Sequence, residues 1–165
     1  MTATDPLTVS PDVFRSVLGN LPTGVVVIAT ATPTGQLARA ANSFTSVSLD
    51  PPLVSVCFRN ASPMTPALCA SGNWGVSVLA ADQHNLCQHF ANRRTADDLS
   101  RVPHAIGDRT GAALLTGCVA TLECRTVLTQ EAGDHTVVIG EVLAIAAHRD
   151  HAPLLFYRGG YHAIG

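Results

Sequence analysis

Lysine is missing from this 165-residue chain; all ten basic residues are arginines. Schiff-base chemistry on a lysine amine is therefore excluded. Any anion must be held by Arg, backbone N–H groups or hydroxyls. Charge of either sign is scarce: 13% of residues are charged, the net is −2, and no basic or acidic block occurs. A nucleic-acid surface needs a clustered positive face, so that class of partner is not expected. Paired cysteines are missing too. Cys57, Cys69, Cys87, Cys118 and Cys124 form no C-x-x-C, their number is odd, and most lie in apolar runs. They read as buried thiols in a reducing compartment, which points to the cytoplasm. No apolar run approaches the roughly eighteen residues of a membrane span. The opening MTATDPLTVSPD has neither the basic region nor the apolar core of a signal peptide.

Several chemical signatures are absent as well. There is no G-x-S-x-G and no cysteine in a recognisable cationic context, so nucleophilic catalysis is not expected. No G-x-G-x-x-G opens a dinucleotide-binding half. His84-x-x-Cys87-x-His89 lacks the i, i+4 spacing of zinc ligands on a helix, and no second ligand cluster follows, so no metal is expected.

The length suits one domain over residues 1–165, with 1–9 frayed. Hydrophobic residues reach 47%. With so little charge, part of the surface should be covered by a second subunit, which predicts a homodimer. Ser10-Pro11-Asp12 gives an N-cap, a first-turn proline and a first-turn acid, opening a helix through about Leu18 that Gly19 stops. Val25 to Thr30 is a β-branched run for a strand buried on both sides. Pro33 to Gln36 is a turn. Ser62-Pro63 opens a second helix toward Ala70. Trp74 to Leu79 reads as a strand, and Asp82 as the cap of a helix ending near Ala91-Asn92. Residues 92–113 form a long polar excursion, expected to be a lid or a dimer arm. From Cys118 to Thr129 the chain alternates, with Leu122 and Cys124 on one face and Thr121, Glu123 and Arg125 on the other. Glu131 to Asp134 is a turn, and Val137 to Ala147 a strand apolar on both faces. Many strands, short turns and few short helices predict a mainly β, antiparallel barrel.

The chain is organised around Ala40 to Pro52, AANSFTSVSLDPP. Asn42, Ser43, Thr45, Ser46 and Ser48 make a row of small donors and acceptors. Asp50-Pro51-Pro52 ends it, because proline lacks the N–H. On composition alone the reading favoured is an ST-rich surface loop, over a polar extended segment that holds a flat heteroaromatic ligand.

The stretch has company, in order along the chain: Phe14-Arg15 to Leu18-Gly19, Leu21-Pro22-Thr23-Gly24-Val25, Ala41 to Pro52, Ser71-Gly72, Phe90-Ala91, Gly133-Asp134-His135 and Pro153-Leu154-Leu155. Together these blocks resemble the flavin reductase-like family, the FMN-binding split barrels that include small reductase components of two-component flavin-dependent monooxygenases. The resemblance implies a split β-barrel that transfers hydride from NADH or NADPH to FMN or FAD and supplies a partner monooxygenase. It implies that Asn42, Ser43, Phe44, Thr45 and Ser46, with Ser48, border the isoalloxazine and ribityl chain. Cys57, Phe58, Arg59, Asn60 and Ser62 would lie nearby, with Tyr157 also at the flavin. A basic residue after Phe90-Ala91, Arg93 or Arg94, would hold the phosphate, and His135 would serve the nicotinamide as a hydrogen-bond donor.

The chain departs from the family pattern in two places. Ala38-Arg39-Ala40-Ala41 stands where many members have Gly-x-Thr-Ala, and Ala96-Asp97-Asp98-Leu99 where many have Asp-Arg/Lys-Phe. These departures keep a rival open: a flavin-binding accessory or biosynthetic protein without NAD(P)H turnover.

Overall fold

The structure is a computed structural model that describes residues 9–92, 98–148 and 150–164. Its first helix, α1 (Pro11–Leu18), begins where the capping chemistry puts it: Ser10 Oγ accepts the Val13 N–H at 3.3 Å. Then follow β1 (Thr23–Gly24), β2 (Val26–Thr32), β3 (Gly35–Ala41), β4 (Thr45–Leu49) and β5 (Pro52–Arg59). Helix α2 (Met64–Ser71) leads to β6 (Asn73–Val78), a single 3-10 turn (Ala81–Gln83) and α3 (His84–Ala91). The rest is strand: β7 (His104–Ile106), β8 (Ala113–Leu115), β9 (Ala120–Ala132), β10 (His135–Ala147), β11 (Leu154–Tyr157) and β12 (Gly160–Ala163). The mainly β, antiparallel architecture agrees with the sequence. No helix among the described residues is long and apolar enough to cross a membrane.

Seven strands form one antiparallel sheet in the order β3-β2-β6-β9-β10-β5-β4. Its two edge strands, β3 and β4, are consecutive in the chain, joined only by Asn42, Ser43 and Phe44. Four Cα steps reach at most about 14 Å. A flat sheet of seven strands would be about 29 Å across. The sheet must therefore curl until its edges approach, and the link is where they meet. A three-stranded sheet, β1-β11-β12, and the β7-β8 hairpin pack beside it.

Curling makes two cores from one sheet. Along β2, Val26 and Ile28 pack on one face with Val56, Met64, Leu68 and Trp74, while Val27 and Ala29 pack on the other with Leu79, Cys87 and Phe90. This is the strand buried on both sides that its β-branched run predicts. Trp74 is fully buried and sits against Gly140; a Cβ there would collide with its ring, so β10 must carry glycine at that point. The Trp74 indole N–H donates to Thr126 Oγ1 at 3.2 Å.

Three sequence expectations need correction. Asp82 does not cap α3; it lies inside the 3-10 turn, and Gln83 Oε1 accepts the Ala80 N–H instead, at 3.0 Å. The excursion after α3 is no loose lid in its described part. Leu99, Val102, Ala112 and Ala113 are buried, and β7-β8 folds back on the body. Glu123, assigned to the polar face of β9, is 7% exposed. Its Oε2 accepts the Arg109 N–H, the Thr110 N–H and the Thr110 hydroxyl, each at 2.8 Å. The alternation of β9 is present, but the excursion covers its polar face, and a carboxylate with three donors is how that burial is tolerated.

Candidate functional site

The link between the sheet edges lies on the rim of a cleft of about 720 Å³, inside the usual range of about 300–1,000 Å³ for small-molecule sites. The end of β3 contributes Arg39, Ala40 and Ala41; the link contributes Asn42 and Ser43. Cys57, Phe58 and Arg59 come from the end of β5, Ala61, Ser62 and Pro63 from the turn into α2, Phe90 and Ala91 from the end of α3, and His135 from the start of β10. Four chain segments far apart in sequence thus open onto one space.

The turn before α2 is tightly held. The Ser62 N–H donates to the Arg59 carbonyl at 2.8 Å, the Thr65 hydroxyl donates to the same carbonyl at 3.0 Å, and Ser62 Oγ accepts the Met64 N–H at 3.3 Å. Opposite, the β9-β10 hairpin turns at Gly133-Asp134, with Gly133 at φ 64°, a conformation glycine takes without penalty. His135 follows directly, and its Nδ1 lies 2.7 Å from Asp134 Oδ1. A carboxylate only accepts, so Nδ1 carries the proton and donates. That hydrogen bond, and then the charge of the imidazole when protonated, hold the Asp134 carboxyl below the usual carboxylate range. Nε2 is the ring's remaining polar atom: an acceptor in the neutral ring, a donor only in the charged one. The donor role expected of His135 is thereby narrowed to its protonated form.

The structure brings together only part of the sequence-expected residues. Asn42, Ser43, Cys57, Phe58, Arg59, Ser62, Phe90, Ala91 and His135 line the cleft together. Phe44, Ser46 and Ser48 do not; they line a separate groove of about 450 Å³ with Pro52, Leu53, Val142 and Ile145. Thr45 begins β4, and its hydroxyl stays local, 3.4 Å from the Ser46 carbonyl. Tyr157 ends β11, with its ring centroid 5.9 Å from that of His162 and the Arg158 guanidinium 5.2 Å from its centre, away from the cleft lining. Asn60 is adjacent, but its side chain is engaged with the β9-β10 hairpin. Arg93 and Arg94 lie outside the described residues.

Arg39 is the charged cleft residue that sequence reasoning missed. It is half-buried, and its Nη1 donates to the Ala38 carbonyl at 2.8 Å. A signal was available: with lysine absent there are ten cations to consider, and this one stands three residues before Asn42 on the strand that ends at the site. Ala40, which stands where many family members have threonine, lies between the cleft and an apolar side pocket of about 160 Å³. Val25, Cys87, Phe156 and Tyr161 line that pocket, and the Cys87 thiol donates to the Tyr161 hydroxyl at 3.2 Å.

The cleft suits a phosphorylated heteroaromatic ligand. Arg39 and Arg59 supply charge for an anion; the small side chains from Ala40 to Ser43 leave room for a flat ring. Comparison with known proteins agrees with this chemistry. A family model described as a flavin reductase like domain matches residues 18–165. The FMN reductase (NADH) SmoA of Agrobacterium fabrum is 43% identical over 149 residues, covering 90% of this chain and 83% of that protein. The reductase subunit HsaB of a flavin-dependent monooxygenase from Rhodococcus jostii is 36% identical over 156 residues, 94% of this chain and 79% of that one. Among solved structures, the Streptomyces globisporus NADH:FAD oxidoreductase SgcE6, in complex with NAD and FAD fragments, superposes with a TM-score of 0.90 at 37% identity, covering 96% of each chain. With its family model matched over nearly its whole length and its fold shared, the chain belongs to the flavin reductase-like family.

Proposed function

We propose that this protein is an NAD(P)H-dependent flavin reductase that delivers reduced flavin to a partner flavin-dependent monooxygenase, with all of this carried by one domain. The observation that carries the reading is the convergence of the Asn42-Ser43 link, two guanidinium groups and an oriented histidine on one cleft. Flavin held in that cleft would supply the two-electron acceptor for a hydride from the nicotinamide, chemistry that asks no side-chain base of the protein. The protein's task is position and electrostatics.

Asn42 and Ser43 border the ring, and Ser62 and the arginines take the phosphate. Arg39 and Arg59 join Arg93 and Arg94 as candidates for that contact. A guanidinium matches phosphate oxygens with two parallel N–H donors. His135, its Nδ1 committed to Asp134, offers Nε2 to the nicotinamide carboxamide, whose NH₂ can donate to the neutral ring.

The groove holding Phe44, Ser46 and Ser48 serves the proposed homodimer. It is walled by Pro52, Leu53, Val142 and Ile145, and Ile145 and Leu49 stand 70% and 95% exposed. Apolar surface of this kind is what a subunit interface covers. Ser46 and Ser48 then sit near the subunit boundary. The five free cysteines, three of them buried, suit the reducing cytoplasm.

The test is oxidation of NADH and of NADPH by the purified protein with FMN, FAD and riboflavin in turn. Steady-state turnover with at least one pair supports the reading. Tight flavin binding without oxidation of either nucleotide overturns it in favour of an accessory flavin-binding role.

A further inference from the structure

Asn60 was expected at the flavin, yet every polar atom of its side chain is engaged elsewhere. Its Nδ2 donates to the Gly133 carbonyl at 3.2 Å, and its Oδ1 accepts the Thr136 hydroxyl at 2.9 Å. Its backbone N–H donates to the Asp134 carbonyl at 3.0 Å. The amide orientation is unambiguous, because a carbonyl can only accept. Asn60 lies one residue past Arg59, which pairs with His135 as the last rung between β5 and β10. Asn60 thus continues the ladder past the last rung: its backbone N–H holds residue 134, and its side chain grips residues 133 and 136, on both sides of His135. No other short side chain does this. Aspartate cannot donate to the Gly133 carbonyl, and serine cannot reach both partners.

We infer that Asn60 is a positioning residue for the nicotinamide step: it holds the Gly133–Thr136 turn so that His135 faces the cleft. The inference rests on the proposed role of His135. Asn60 also joins the turn before α2, which borders the phosphate end through Arg59 and Ser62, to the hairpin that carries His135. The two ends of the cleft are thereby tied by one side chain. Thr136, 5% exposed, is the buried half of the clamp.

The test compares Asn60→Ala, Thr136→Val and Thr136→Ser with the wild-type holoprotein. It also places Asn60→Ala in a His135→Ala background. Stopped-flow reduction of bound flavin by NADH gives the half-saturating nucleotide concentration. Flavin fluorescence gives the flavin Kd, and hydrogen exchange reports on residues 133–136. Asn60→Ala and Thr136→Val are expected to raise half-saturating NADH about three- to tenfold, as for one or two lost neutral hydrogen bonds. Thr136→Ser, which keeps the hydroxyl, should behave as wild type. Flavin Kd should stay within about twofold, exchange in the turn should speed up, and Asn60→Ala should add nothing once His135 is gone. If Asn60→Ala weakens flavin as much as nucleotide, or its effect multiplies with that of His135→Ala, the inference is overturned. A His135→Ala protein with wild-type nucleotide saturation would instead overturn the role of His135. An effect of His135→Ala without one of Asn60→Ala would overturn only the positioning role.

Discussion

Ser43 stands in for a strand residue opposite Cys57. The ladder between β4 and β5 pairs Thr45 with Ser55, and two residues further along the same register Ser43 faces Cys57. There a side chain replaces the backbone: Ser43 Oγ accepts the Cys57 N–H at 3.0 Å and donates to the Cys57 carbonyl at 3.1 Å. One hydroxyl does the work of both main-chain groups, and the regular ladder resumes only at Thr45. The edge strand is therefore sewn down at the rim of the cleft while its backbone departs toward β3.

Replacing Ser43 with alanine should remove both bonds, at about 0.5–1.5 kcal/mol each. We expect Ser43→Ala to lower unfolding free energy by about 1–3 kcal/mol in urea and to weaken flavin binding. Ser43→Thr, which retains the hydroxyl, should lose less. Unchanged flavin affinity in a destabilised Ser43→Ala protein would confine Ser43 to the seam.

His135→Ala should raise half-saturating NAD(P)H severalfold, the loss of about 0.5–1.5 kcal/mol, with flavin affinity nearly untouched. Stopped-flow reduction by NADH and by NADPH measures it. Wild-type rate and half-saturation in the mutant would leave His135 as a hairpin residue alone.

Charge removal separates the arginines. Arg39→Gln or Arg59→Gln should weaken FMN by about tenfold, as for one charge-assisted hydrogen bond, and riboflavin far less, because riboflavin has no phosphate. Arg93→Gln and Arg94→Gln form the parallel pair. The variant with the largest FMN-to-riboflavin difference identifies the phosphate contact; equal losses for both ligands would assign the arginine another task.

Glu123→Ala would leave the Arg109 and Thr110 N–H groups and the Thr110 hydroxyl without their shared acceptor. Hydrogen bonds to a charged group contribute about 1.5–3 kcal/mol each, so a loss of at least about 3 kcal/mol is expected by urea unfolding. Glu123→Gln keeps one carbonyl oxygen and should lose less. Wild-type stability in Glu123→Ala would mean that the 107–110 turn does not depend on it.

Alkaline pH should destabilise the fold through Cys118, Cys124 and Tyr161. Burial pushes Cys118 up to about 11 and Cys124 up to about 12, and burial, then the Cys87 contact, pushes Tyr161 up to about 12. Each is raised above its unfolded value, so the folded state holds its proton more tightly. The contribution is complete below about pH 8.5, the ordinary thiol value, and is lost as pH rises toward 11–12. Thermal midpoints measured from pH 7 to 11 should fall above pH 9. Among thiols, exposed Cys69 should react first with a thiol reagent at pH 8, ahead of Cys57 and the three buried ones.

Local chemistry by itself determined much of this protein. The Ser10 cap with Pro11, the β-branched run in β2 and the Gly133-Asp134 turn each act within a few residues, so their outcome is written where they stand. The run of blocks from Phe14 to Leu155 carried the resemblance to the family, which the family model matched over residues 18–165 bears out. The tertiary structure decided which face of each strand meets which space. Ser43 and Ser46 look equivalent in the sequence, yet curling the sheet puts one on the cleft and the other on the second groove. Arg39 became a cleft residue, Glu123 a buried acceptor and Asn60 a clamp on a hairpin more than seventy residues away. Those assignments depend on closure between edges far apart in the sheet order, and a pattern of period two along one strand holds no information about what the partner strand brings to it.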